Sequence, residues 1–254
     1  MNPIKVRNLE IGTGIPKICV PIVDKTKEDI LQSATEICKT PAELVEWRAD
    51  WFEQVFEIEA VKEVLHDLRT ILEERPLLFT IRTKNEGGEC EIRFSKYREI
   101  LLQVAQTKLV DMIDVEVYLH EQVPELIQEL KEKEMMVVGS NHDFEKTPQK
   151  REMMQTLGYM QYIGADISKL AVMPQNKQDV LALLSATENM LTTYESGPVI
   201  TMSMSSKGCV SRVAGETFGS CVTFGSLGKA SAPGQMNVWD LKKVLEILHH
   251  TMEE

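Results

Sequence analysis

The sequence has few cysteines and no long apolar run. Its 5 cysteines are scattered without CxxC spacing, which argues against a disulfide framework or a zinc site and favours a reducing cytoplasm. No stretch approaches the ~20 apolar residues of a membrane-spanning helix, and the N-terminus lacks the apolar core of a signal peptide. We therefore expect a soluble, cytoplasmic protein with no membrane partner.

The sequence also lacks a basic stripe, a linker and an internal repeat. Its formal net charge of -11 would repel a phosphate backbone, so nucleic acid is not an expected partner. No Pro/Gly-rich or low-complexity tract divides the 254 residues, which suffice to enclose one large core. We predict a single domain over residues 1–254.

Short β-like runs alternate with longer segments of helical period. Eight strand–helix units in about 250 residues match an α/β fold of the (β/α)8 TIM-barrel type, whereas an open doubly wound sheet more often has about five to seven strands. Residues 4–16 alternate apolar and polar side chains around Gly12 and Gly14, which predicts a β-hairpin that closes the N-terminal end. The predicted strands are 17–23, 44–49, 77–82, 109–117, 135–142, 167–173, 198–204 and 221–226.

Polar side chains share one face of these predicted strands. Residues i and i+2 of a strand point to the same side, and one side of a barrel strand faces the interior. By this parity the interior is unusually polar near the C-terminal strand ends, where barrel enzymes carry their active sites. Unpaired buried charges are costly, so these groups must pair or act on a ligand. The polar inward residues are Glu46, Arg48, Thr80, Arg82, Asp114, Glu116, Ser140, His142 and Lys169.

Lys169 stands within the apolar run 167–173, early in its strand and so deep in the barrel. Desolvation or a nearby cation lowers the pKa of a lysine from ~10.4, and the neutral amine attacks carbonyls to form a Schiff base. His142, one strand earlier, has the intrinsic pKa of a base that removes a proton next to an imine. A strand lysine can also reach solvent, and a histidine at a strand end is more often structural. Met202 and Met204, also inward, are interpreted as core filling.

Two loops of the C-terminal third, 205–216 and 225–235, are rich in glycine and serine, as a mobile cover or an anion-binding loop would be. Arg212 in the first loop offers a planar fork suited to carboxylate or phosphate. With Arg48 and Arg82 it gives an acidic protein a locally basic mouth. These features predict a small anionic substrate and chemistry that needs neither a metal nor an organic cofactor.

Seven longer motifs follow one another along the chain. They are EWRAD (46–50), FTIRTKNEGGE (79–89), DMIDVEV (111–117), SNHDFEKTP (140–148), GADISKLAVMP (164–174), ITMSMSSKGCVSR (200–212) and ASAPGQ (230–235). Together they resemble the type I 3-dehydroquinate dehydratases, which catalyse the third step of the shikimate pathway. The similarity extends from about residue 17 to residue 249.

The resemblance implies a role for each candidate residue. By analogy Lys169 forms an imine with the C3 ketone of 3-dehydroquinate. His142 removes a C2 proton and then helps the C1 hydroxyl leave as a general acid, before hydrolysis releases 3-dehydroshikimate. Glu86 matches the carboxylate that orients the histidine, and Arg212 matches the residue that pairs with the substrate carboxylate. The residues that hold hydroxyls and close the site match Glu46, Arg48, Arg82, Ser231 and Gln235. Members of the family are commonly homodimers.

Two departures from the family and three alternatives remain open. Pro21 stands where some members have a serine, and Ser168 stands where proline is frequent. The same imine could serve a class I aldolase-like lyase that breaks a carbon–carbon bond. A non-catalytic barrel could bind a carboxylate metabolite without turnover. Asp114, Glu116 and His142 could instead form a metal site.

Overall fold

Strands and helices alternate throughout the computed structural model, which describes residues 2–193, 197–228 and 231–252. Among these residues no helix is both long and apolar enough to cross a membrane. The elements in chain order are β1 (Ile4–Val6), β2 (Leu9–Ile11), β3 (Lys17–Ile22), α1 (Lys27–Ile37), β4 (Leu44–Arg48), α2 (Ile58–Leu72), β5 (Leu77–Thr80), α3 (Phe94–Thr107), β6 (Met112–Glu116), α4 (Val123–Glu132), β7 (Met136–Asp143), α5 (Lys150–Tyr162), β8 (Ile167–Val172), α6 (Lys177–Thr193), β9 (Val199–Ser203), α7 (Val210–Val213), α8 (Gly215–Phe218), β10 (Val222–Ser226), β11 (Met236–Asn237) and α9 (Val238–Met252).

Strands β3 to β10 lie side by side in chain order, and each pair is parallel. The seam between β9 and β10 is closed by the Cys221 amide, which donates to the Val199 carbonyl at 2.9 Å. The Ser220 hydroxyl adds to the seam, since it accepts from the Thr201 amide at 3.0 Å. The predicted (β/α)8 barrel is thus confirmed, and the short strand β11 pairs in parallel with the end of β10 at the rim.

Apolar side chains form two separate layers, as side-chain parity predicts. Trp47, Leu170 and Val172 face outward and pack between the sheet and the helices. Inside, the N-terminal end of the barrel is filled by apolar residues and closed by Val6 and Ile11 of the β1–β2 hairpin. The interior residues of this end are Cys19, Leu44, Leu78, Met112, Val138, Ile167, Ile200 and Val222.

An ion-pair network anchors the hairpin beneath the barrel. Asp111, just before β6, accepts from Arg7 Nε at 2.6 Å and from Arg69 Nη2 at 2.7 Å. The same carboxylate accepts from the Leu77 amide at 2.8 Å. It therefore fixes the start of β5 at the end of the barrel opposite to the polar interior.

The two departures noted in the sequence have different surroundings. Ser168 lies on the outer face of β8, where its hydroxyl donates to the Leu157 carbonyl of α5 at 3.1 Å. Its amide donates to Pro198 O at 3.1 Å, a bond that a proline at 168 would lose. The serine therefore ties the strand of Lys169 to α5. Pro21 lies in the wall of a surface cavity beside α1, and Asp24 and Leu227 line the same cavity.

Candidate active site

The C-terminal ends of the barrel strands surround a cavity with about 440 Å³ of empty space. The eight candidates in its wall are Glu46, Arg48, Arg82, Glu86, His142, Lys169, Ser231 and Gln235. Arg212 is the ninth candidate and does not line the cavity.

Lys169 is 4% exposed and lies between two carboxylates. Its Nζ is 3.2 Å from Glu46 Oε1 and 3.4 Å from Asp114 Oδ2. The Phe224 ring covers it, with 4.7 Å from Nζ to the ring centroid. Each carboxylate also has a second partner: Glu46 accepts from the Thr80 hydroxyl at 2.9 Å, and Asp114 accepts from Arg82. The amine is held in the cavity wall between these two carboxylates and the Phe224 ring.

Arg82 binds more protein acceptors than any other cation of the site. Its Nη2 donates to Asp114 at 2.7 Å, while Nη1 donates to Glu116 and to the Ser140 hydroxyl at 3.0 Å each. Burial lowers the pKa of Arg82, but Asp114 and Glu116 outweigh it and raise this pKa beyond the usual range. Burial has the opposite effect on the acid Asp114 and raises its pKa, but the positive charges of Arg82 and Lys169 outweigh burial and lower this pKa below its usual value. Asp114 is therefore ionised and paired with Arg82 and Lys169.

This pairing bears on the metal alternative. Asp114 and Glu116 direct their oxygens to Arg82, and Glu116 also accepts from the Thr83 amide and hydroxyl at 2.8 and 2.7 Å. Over the described ranges, no group of three or more His, Cys, Asp or Glu side chains is placed to hold a metal ion. The buried carboxylates act as partners of an arginine.

His142 and Glu86 form a buried pair. Nδ1 of His142 is 2.9 Å from Glu86 Oε2, which also accepts from the His142 amide at 3.0 Å. Asn141 Nδ2 donates to the other carboxylate oxygen at 3.0 Å. Burial raises the pKa of Glu86 to about 8, although Arg82 opposes this, and burial lowers the pKa of His142 well below its usual value. Loss of the proton that the pair shares leaves a neutral imidazole beside a carboxylate, the form in which His142 can accept a proton.

Arg212 lies one layer behind the cavity wall. It is 2% exposed, its Nη2 donates to Pro233 O at 3.0 Å, and its Nη1 is 4.0 Å from the sulfur of Met202, which does line the cavity. Its Nε is buried without a partner, and no carboxylate of the described residues forms an ion pair with it. Burial lowers the pKa of Arg212 to about 10, so it remains a cation near neutral pH. Arg212 is thus a buried positive charge with no anionic partner in the part of the chain that the structure describes.

Ser231 and Gln235 bind each other across the loop after β10. The Ser231 amide donates to Gln235 Oε1 and Gln235 Nε2 donates to the Ser231 hydroxyl, both at 2.9 Å. Both side chains line the cavity. Residue 230, the first of the ASAPGQ motif, lies outside the described residues.

Several lining residues were not singled out in the sequence as parts of a site. Phe224 shares the inward parity of its predicted strand, so parity could have identified it. Met202 and Met204 do belong to the interior apolar cluster, but they also form part of the cavity wall. Phe144 gave no such signal, because its ring reaches the cavity by packing on Gly87, where an added Cβ would collide with it.

Comparison with known proteins identifies the family. Residues 18–252 match the model of the type I 3-dehydroquinases. A 3-dehydroquinate dehydratase of Clostridium botulinum is 49% identical over 250 residues, which cover 98% of each chain. A similar solved structure is the crystal structure of the type I 3-dehydroquinate dehydratase of Clostridium difficile with covalent modified comenic acid. It is 47% identical and superposes with a TM-score of 0.95, and the match covers 98% of this chain and 99% of that one.

A third relative agrees with the two already named. The 3-dehydroquinate dehydratase of Geobacillus kaustophilus is 37% identical with a TM-score of 0.95, over 98% of this chain and 97% of that one. The matches extend over nearly the whole length on both sides, through every strand of the barrel. The chain therefore belongs to the type I 3-dehydroquinase family.

Proposed function

We propose that the protein converts 3-dehydroquinate into 3-dehydroshikimate through an imine on Lys169. As a member of the type I 3-dehydroquinases, the protein is a hydro-lyase. The observation that carries the proposed route is the placement of a buried lysine amine and a histidine–carboxylate pair in the wall of one cavity. Together these groups suffice for imine formation and proton transfer, without a cofactor.

The first steps use Lys169 and its carboxylate neighbours. The amine passes a proton to an acceptor, and its Nζ lone pair attacks C3 of the substrate. The resulting carbinolamine loses water to give a protonated imine. Glu46 and Asp114, at 3.2 and 3.4 Å from Nζ, stabilise that positive charge. The imine then withdraws electrons from C2 and acidifies its protons.

His142 then moves both protons of the elimination. It removes one proton from C2 to give an enamine and returns a proton to the C1 hydroxyl, which leaves as water. Because one side chain performs both transfers, the two groups leave from the same face, which is a syn elimination. Glu86, 2.9 Å from Nδ1, orients the ring and stabilises the imidazolium formed between the two steps. Hydrolysis of the product imine restores Lys169.

The remaining candidates are proposed to hold the substrate. Arg212 binds the substrate carboxylate, because it is a buried cation that meets no anion among residues 2–193, 197–228 and 231–252 and lies behind Met202 and Pro233. Contact requires the arginine side chain to turn into the cavity. Hydroxyls of the ring are proposed to bind Glu46, Arg48, Arg82, Ser231 and Gln235, which line the cavity.

Direct assay with 3-dehydroquinate tests the activity. We expect a conjugated enone to appear in the ultraviolet, and EDTA to leave the rate unchanged. Release of a three-carbon fragment in place of the enone would instead support an aldolase-like lyase. Binding of the substrate without any turnover would support the non-catalytic barrel.

Replacing Arg212 by methionine tests the proposed carboxylate anchor. We expect KM to rise by about 100-fold, because a buried arginine–carboxylate pair contributes roughly 2–5 kcal/mol when truncated. We also expect the free energy of unfolding to rise by about 1–3 kcal/mol, since an uncompensated buried charge is replaced by an apolar chain of similar length. Steady-state kinetics and urea unfolding measure the two effects.

Arg98 offers the control for this change. Its side chain is 43% exposed, and the guanidinium pairs with Glu129 on the outer helices. Arg98→Met should leave KM unchanged. An unaltered KM in Arg212→Met would remove Arg212 from substrate binding.

We also propose that the protein is a cytoplasmic homodimer that serves aromatic amino acid biosynthesis. The dimer is supported by the resemblance to a family whose members are commonly homodimers. The cytoplasmic location is supported by the five cysteines, none of which forms a disulfide. Light scattering of the purified protein would test the assembly.

A further inference from the structure

Asp50 occupies a 3-10 turn directly after β4, between the cavity wall and the segment that carries Glu86. Its side chain is 0% exposed. The two carboxylate oxygens accept four hydrogen bonds. Oδ1 accepts from Arg48 Nε at 2.8 Å and from the Arg82 amide at 3.1 Å. Oδ2 accepts from Arg48 Nη2 at 2.8 Å and from the Glu89 amide at 3.2 Å.

Two of these bonds determine the direction of Arg48. A bidentate contact through Nε and Nη2 holds the guanidinium plane. Arg48 lines the cavity, and its Nη1 makes no hydrogen bond to any residue that the structure describes. Asp50 therefore leaves one end of the fork free to donate to a ligand.

The other two bonds hold both ends of the segment 82–89. Arg82 and Glu89 meet at one carboxylate, so the chain between them forms a closed loop with Glu86 inside it. The loop is tight, because a Cβ at Gly88 would collide with the Arg82 carbonyl. The position of the Glu86 carboxylate against His142 thus depends on the same anchor as the direction of Arg48.

We propose that Asp50 is a positioning residue that couples the substrate-binding fork of Arg48 to the Glu86–His142 pair. This inference rests on the proposed function, in which those groups bind and deprotonate the substrate. Asp50 itself is absent from the cavity wall, so it acts only through these neighbours. Its loss should change substrate binding through Arg48 and proton transfer through Glu86.

A purely structural role would predict a loss of stability alone, and Asp111 provides the matched case. Its carboxylate also binds an arginine and a backbone amide, with contacts to Arg69 at 2.7 Å and to the Leu77 amide at 2.8 Å. Asp111 thus holds the first residue of β5, whereas Asp50 holds the chain just after the end of β5. The two residues perform the same local task at opposite ends of one strand.

The test compares Asp50→Asn with Asp111→Asn in the full-length protein. Both variants should be less stable towards urea than the wild type. We expect Asp50→Asn to raise KM and to lower kcat by about 10-fold or more each, because small displacements of catalytic groups are costly. Asp111→Asn should keep both constants within about twofold, since stability losses away from the site leave folded enzyme unaltered.

Wild-type constants in a folded but less stable Asp50→Asn would overturn the proposal. If this variant does not fold, Asp50→Glu serves instead, because it retains a carboxylate one methylene further out. We expect it to raise KM and lower kcat less strongly than Asp50→Asn does. Wild-type kinetics in Asp50→Glu would also overturn the proposal. Borohydride trapping on the wild type distinguishes failure of the Asp50 proposal from failure of the proposed imine mechanism. An adduct on wild-type Lys169 together with unchanged Asp50→Asn kinetics would reject only Asp50, whereas the absence of any adduct would reject the imine itself.

Discussion

Replacing Lys169 by methionine is expected to lower kcat by at least about 10⁴-fold, as the removal of a covalent nucleophile does in other enzymes. Methionine fills a similar volume but has no amine to attack C3. Borohydride should reduce the imine of the wild type with 3-dehydroquinate to a stable adduct on Lys169, and Lys169→Met should show no added mass. Mass spectrometry of the intact protein and of its peptides measures both.

Lys169→Arg is the control for the loss of charge. Lys169→Met leaves Glu46 and Asp114 without one of their cations, which costs up to about 3–5 kcal/mol for a buried pair. Arginine keeps the positive charge but cannot form an imine. Both variants should therefore be inactive, with Lys169→Met the less stable of the two. A full adduct in either variant, or an adduct mapped to another lysine of the wild type, would contradict the assignment.

Replacing His142 by alanine is expected to lower kcat by about 10³- to 10⁴-fold while the imine still forms. The contacts of Lys169 Nζ are with Glu46 and Asp114, so we expect attack on the ketone to continue without the imidazole. The C2 proton then lacks its acceptor, and the imine of the unreacted substrate accumulates. In His142→Ala, trapped Lys169 should carry the reduced imine of the unreacted substrate, which keeps the C1 hydroxyl that the elimination removes as a second water.

His66 is the matched histidine outside the site. Its side chain is 75% exposed on α2, so His66→Ala should retain the kinetics of the wild type. Wild-type kcat in His142→Ala would remove this residue from proton transfer. A variant that forms no adduct would instead show that His142 acts before or during imine formation.

Much of the barrel follows from local patterns. Strand positions were predicted because short apolar runs alternate with helical periods, and the two-residue repeat of a strand separates inward from outward side chains. Trp47 and Leu170 accordingly pack against helices, whereas Lys169 faces the interior. The boundaries were less accurate. Strand β6 begins at Met112 and not at 109, since Asp111 turns its side chain to Arg69 and the chain before it is a connection.

The contacts of the site did not follow from those patterns. The resemblance assigns Arg82 to substrate hydroxyls, but it does not indicate that the guanidinium also binds Asp114, Glu116 and Ser140 of the protein. It assigns Arg212 to the substrate carboxylate, but it does not indicate that this side chain lies behind Met202. Parity assigns a side to each residue, but it carries no information on side-chain rotamers or on loops without a regular repeat.

The sequence by itself determined the order of the strands and the inward direction of Lys169, because both depend only on chain order and on the period of a strand. Only the tertiary structure decided which anion each cation meets. Arg82 and Asp114 are 32 residues apart, and Lys169 and Glu46 are 123 residues apart. Closure of the barrel brings such residues together, and the competition among neighbouring donors for the same carboxylates settles their pairing.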